Sequence, residues 1–177
     1  VVLDPLDVWR LSQGFHLSAD QLLTGKIELG VTDGNILPHL KMAGAEERCV
    51  FLDGNGRCSI HSFRPGFCRL FPLGRYYENG GFSYFLQTGE CAKENRSKIK
   101  VSKWIDTPDL TRNQQFTLQW HDLLHAMEER LTGEDEGKQQ EENLLLLRLF
   151  YLLPYKGTTD FYSQFMERME YWNEQIR

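Results

Sequence analysis

Cys49-Val-Phe-Leu-Asp-Gly-Asn-Gly-Arg-Cys58-Ser-Ile-His-Ser-Phe-Arg64-Pro-Gly-Phe-Cys68-Arg-Leu-Phe-Pro72 decides how the rest of the chain is read, because three of its four cysteines fall here. The fourth, Cys91, follows one further hairpin pattern, so the spacing is C-x8-C-x9-C-x22-C. Within the stretch, Cys49 to Leu52 and Arg57 to Ile60 flank Asp53-Gly-Asn-Gly56, a hairpin signal. His61 to Arg69 reads as a turn and a short helix around Pro65. Arg75 to Tyr77 and Phe82 to Leu86 flank Glu-Asn-Gly-Gly81 as a second hairpin, rich in the aromatic residues that suit strands. Together these segments predict a small, irregular antiparallel sheet around the cysteines.

The thiols do not form the paired C-x2-C knuckles of ordinary zinc ribbons, so their spacing alone says little about metal. Their surroundings say more. From Arg48 to Arg75 there are five arginines against one acid, Asp53, a local charge of +4 in a chain of net −5. Thiolates around zinc or an iron–sulfur cluster leave a net negative charge that guanidinium groups offset while favouring the deprotonated thiols. Arg57, Arg64 and Arg69 are the candidates for that role or for holding an anion. Charge offset is the simpler reading, and it does not choose between zinc and iron. Structural disulfides and inert buried thiols compete with metal binding. A reducing, cytoplasmic compartment, where clustered thiols more often hold metal, ranks chelation first.

Upstream, Val1 to Leu3 reads as a strand end. Asp4-Pro5 opens a helix, with Asp4 as N-cap, Leu6, Trp9 and Leu11 on its buried side and Gly14 at its end. Ser18 and Gln21 form a capping-box pattern for a second short helix that closes near Gly25. Ile36 to Met42 alternates as a strand, with Pro38 suggesting an edge. Downstream, Val101 to Asp106 reads as a connector. Helices follow from Thr107-Pro108 to about Leu131, from about Gln139 to Leu153 before Pro154, and from about Thr159 to Ile176. The last carries Phe161, Phe165, Met169 and Trp172 at helical spacing. The fold class is therefore α+β, with residues 1–106 as a cysteine-cluster unit and 107–177 as a helical extension packed on it.

The chain has 177 residues with 20 basic and 25 acidic side chains, a balance that argues against nucleic acid as a general partner. No apolar run reaches the roughly 20 residues that span a bilayer, which argues against a membrane span. His121 and His125, four apart in a helix, share one face, but no third ligand accompanies them, and ordinary helix surface is the better reading. No phosphate-binding glycine loop and no Gly-x-Ser-x-Gly elbow is present.

Cys49-Val-Phe-Leu, Arg57-Cys58-Ser-Ile, Arg64-Pro65 and Cys68-Arg-Leu-Phe-Pro72 resemble the YkgJ-type cysteine-cluster family, a zinc- or iron-chelating domain of bacterial proteins also found in flagellin lysine methylases. The resemblance covers about the first 95 residues. It implies that Cys49, Cys58, Cys68 and Cys91 bind zinc or iron, an iron–sulfur cluster included. A further cysteine group expected just before Val1 would make these four part of a larger or second site. Two functions follow: a metal-binding scaffold that could engage a protein partner, or an iron–sulfur enzyme related to flagellin lysine N-methylases. No catalytic residue can be named for the second.

Overall fold

Short capped helices and tight hairpins come first in the chain, and long helices come after. The computed structural model describes residues 1–90, 98–157 and 160–176. Helix α1 (Pro5–Phe15) starts as a reciprocal box: the Asp4 carboxylate accepts the Asp7 N–H, and the Asp7 carboxylate accepts that of Asp4. Gly14, expected to end α1, lies inside it; the turn out is made by His16 in the left-handed region, φ 54°. Gly14 is there for space, since a Cβ would stand 2.4 Å from the Phe63 ring. Helix α2 (Ala19–Leu23) carries the expected Ser18–Gln21 box.

Strands β1 (Ile27–Thr32) and β2 (Asn35–Leu40) pair antiparallel through Asp33-Gly34, both with positive φ as the mirror-image hairpin turn requires. β1 was not among the expected strands, although Asp33-Gly34 was its signal. The other side of β2 is met by the N-terminal residues and by a side chain: Leu3 donates to the Pro38 carbonyl at 2.8 Å, Leu40 donates to that of Val1 at 2.9 Å, and Ile36 donates to Asn143 Oδ1 at 2.6 Å. Pro38 faces this thinly paired side, where its missing N–H costs the β1–β2 ladder nothing.

Strands β3 (Met42–Ala43) and β4 (Arg48–Cys49) form a two-residue ladder. A 3₁₀ turn (His61–Phe63) and helix α3 (Gly66–Leu70) follow, as expected around Pro65. Strands β5 (Leu73–Glu78) and β6 (Gly81–Leu86) make the second hairpin through Asn79-Gly80. The single irregular sheet of the sequence reading is replaced, among the described residues, by three separate two-stranded sheets. Each is a local hairpin or turn, with no ladder joining one to the next.

The segment expected as a connector is helix α4 (Val101–Ile105). Helix α5 (Leu110–Leu131) is capped by Asp109, two residues after the expected cap at Thr107. Helix α6 (Glu136–Leu147) begins three residues earlier than read, under Asp135, and runs into a π-helical turn (Arg148–Leu152) before Pro154. Helix α7 (Phe161–Gln175) is capped by Asp160. One hydrophobic cluster joins Leu3, Leu11, Leu22 and Leu40 to Phe116, Met127, Phe150 and Trp172. Phe116 meets Phe165 edge to face at 4.7 Å, so the aromatic stripe of α7 is core. Tyr151 closes the cluster by donating from its hydroxyl to the Leu3 carbonyl at 2.9 Å. Among the described residues, no helix is long and apolar enough to cross a membrane.

Candidate metal centre

Local turns carry the three described cysteines, and long-range contacts place them. Cys49 ends β4 opposite Met42. After it the expected hairpin narrows to one bridge, Leu52 to Cys58, because the Leu52 N–H turns back to the Cys49 carbonyl at 3.1 Å. The intervening loop is tied by Asp53, whose Oδ1 accepts the N–H groups of Asn55 and Arg57, each at 2.9 Å. Backbone bonds from Asp53 to the Arg57 carbonyl and from Ser59 to the Phe51 carbonyl, both 2.8 Å, fold the loop's ends together. Cys68 is the third residue of α3.

Cys49, Cys58 and Cys68 are free, half-buried thiols packed on the edge of the core. Burial pushes the Cys68 thiol up to about 11; nearby Asp7, Cys49 and Cys58 add to the rise, and Arg64 opposes it. Cys68 is thus the thiol on which Asp7, Cys49 and Cys58 all act. Among the described residues, no set of three or more histidine, cysteine, aspartate or glutamate side chains stands ready to hold a metal ion. The donors suit zinc or iron chemically, but their described positions do not close a coordination shell. Cys91 lies outside the described residues.

The arginines divide by what they touch. Arg69 is buried and donates to the carbonyls of Ser62 (2.6 Å), Arg64 (3.1 Å) and Asp106 (3.0 Å), tying the turn before α3 to the end of α4. Arg64 is half-buried and acts on the Cys68 thiol, and its buried Nε has no hydrogen-bond partner among the described residues. Arg57 is exposed, and Arg48 pairs with Glu46 at 2.6 Å. Arg75 lies 5.5 Å from the Phe82 ring centre, and its charge opposes the burial that raises the Tyr77 hydroxyl.

Asp7 belongs to this neighbourhood and was missed in the sequence. Its side chain is 1% exposed, and Oδ1 accepts the N–H of Gly66, the first residue of α3, at 2.7 Å. Burial pushes its carboxyl up to about 8, with repulsion from Asp4 adding and the Gly66 N–H and Arg10 opposing. Asp4 is also raised by burial, against the Asp7 N–H and the charges of Arg10 and Arg75. The local signal was the Asp4–Asp7 spacing, which predicts a cap and nothing beyond it. His121 and His125 do share a face of α5, ring centres 6.2 Å apart, but His121 stacks on Tyr77 and His125 lies 3.6 Å from Glu129.

Residues 18–104 match the CxxCxxCC family model, described as "Putative zinc- or iron-chelating domain". No curated protein and no solved structure matches the chain. The matched span includes all four cysteines and stops before α5, while Asp7 lies ahead of it.

Proposed function

Because residues 18–104 of this chain belong to that zinc- or iron-chelating family, we propose that Cys49, Cys58, Cys68 and Cys91 together hold the metal centre. The carrying observation is that Cys49, Cys58 and Cys68, distant in sequence, are free thiols packed half-buried against one core cluster, where the first two also raise the thiol of the third. Bound metal favours the thiolates, and the Arg64 guanidinium assists the same change at Cys68. Such a centre would clamp β4, the Asp53 loop and α3 to one another. Clustered free thiols suit a reducing compartment, so the protein is read as cytoplasmic. Residues 1–106 then form the chelating unit and 107–177 a helical extension that packs on it.

The test is elemental analysis and absorbance of the full chain purified without oxygen. Stoichiometric zinc and no colour support a structural centre, whereas iron with acid-labile sulfide and a brown protein support a cluster. Cys68→Ser is expected to lose the metal in either case. A wild-type protein that retains neither metal, or a Cys68→Ser variant with full metal content, counts against the reading.

A further inference from the structure

Helix α3 spans only five residues, too short to hold its own conformation in water, so its place depends on outside anchors. One lies behind it: the Trp104 indole donates to the carbonyls of Leu70 (3.3 Å) and Phe71 (3.1 Å). Another is Arg69, which reaches back to Ser62 and Arg64. The front of the helix, two residues before Cys68, is held by Asp7 alone among the side-chain bonds described for Gly66.

Asp7 does more than cap α1. A cap at this position works at the surface and has no need of burial. Here the carboxylate is buried, and its shortest bond crosses 59 residues of chain to Gly66. The bond back to the Asp4 N–H, the capping one, is long at 3.4 Å. Burying a carboxyl group is costly unless its oxygens are satisfied, and of its two backbone donors the distant Gly66 is the closer, at 2.7 Å against 3.4 Å.

We propose that Asp7 is a positioning residue for the metal centre: by holding the Gly66 N–H it sets where α3 presents Cys68 to Cys49 and Cys58. The inference rests on the chelating function above. It also explains why the Asp7 carboxyl lies near the thiols without itself being a ligand.

The full chain is stripped of metal and titrated with Co2+ and Zn2+, following the thiolate-to-cobalt absorbance and competition with a chromogenic chelator. Asp7→Ala is expected to weaken binding at least ~10-fold, as loss of a residue supporting a ligand does. Asp7→Asn keeps an acceptor for Gly66 and should bind within a few-fold of wild type. Gly66→Pro removes the same donor from the other side, at a helix position that tolerates proline, and should weaken binding as Asp7→Ala does. It serves if Asp7→Ala does not fold. Wild-type affinity in Asp7→Ala and Gly66→Pro overturns the positioning role and leaves the chelating function standing, as does an Asp7→Asn variant as weak as Asp7→Ala. A wild-type chain that takes up neither ion overturns both.

Discussion

The ring of His121 lies flat against that of Tyr77, centres 3.7 Å apart and planes 7° from parallel. Tyr77 is on β5 and His121 is in the middle of α5, so this stack joins the hairpin that follows the cysteine stretch to the long helices. Gln114 of the same helix reaches the Tyr84 hydroxyl of β6 at 3.4 Å and gives the hairpin a second hold.

The stack should be measurable as a coupling energy. In a double-mutant cycle of Tyr77→Ala and His121→Ala, followed by urea unfolding, aromatic pairing predicts an interaction of about 0.5–1.5 kcal/mol. Additive single effects would mean that the contact contributes area and no specific pairing.

Arg69 is expected to be irreplaceable by lysine. Its guanidinium meets three backbone carbonyls at once, from Ser62, Arg64 and Asp106, a fork that a single ammonium on a flexible stem does not reproduce. Arg69→Lys should therefore destabilise nearly as much as Arg69→Ala, by about 1–3 kcal/mol for the part-buried hydrogen bonds lost. Recovery of wild-type urea midpoints in Arg69→Lys would show that charge, rather than the fork, is what matters.

Gly14→Ala should reverse the usual sign of a helix substitution. Alanine normally gains roughly 0.5–1 kcal/mol over glycine inside a helix. At Gly14 the added Cβ would stand 2.4 Å from the Phe63 ring, which also packs edge-on against Phe15. A loss of about 1–3 kcal/mol is expected from that overpacking. In a Phe63→Ala background the same Gly14→Ala change should become neutral or stabilising; a loss there too would place the cause elsewhere.

Asp7 gives the metal-free protein a pH dependence whose sign follows from its burial. Its carboxyl is pushed up to about 8 in the fold, against ~3.9 in an unfolded chain. Between those values the folded protein binds more protons than the unfolded one, so this group's contribution to stability falls as pH rises and levels off above about pH 8. Asp7→Asn removes the dependence. Its urea midpoint should gain on wild type steadily from pH 5 to pH 8, and parallel curves for the two proteins would refute the raised value.

The elements that were legible in the chain are those whose cause is local. The Asp4 cap, the Ser18 box, Asn79-Gly80, and the aromatic spacing of Phe161, Phe165 and Trp172 each act within a few residues. Even β1, passed over in the reading, had its signal in Asp33-Gly34. Helix starts shifted by two residues at α5 and three at α6, because the Asp109 and Asp135 side chains accept N–H groups of the first turn and fix the caps there.

The candidate site divides the same way. Residue type and wording marked the cysteines in the chain, since thiols and the Cys-Ser-Ile, Arg-Pro and Cys-Arg-x-Phe-Pro pieces are visible without a fold. Which thiols share a neighbourhood, that Arg69 is spent on carbonyls while Arg64 acts on Cys68, and that Asp7 holds Gly66 were decided only by tertiary structure. Capping and turn formation are settled by bonds among neighbours, which the sequence determines by itself. The partners of a buried charge depend on which distant segments the common core brings together, and that information resides in the packing.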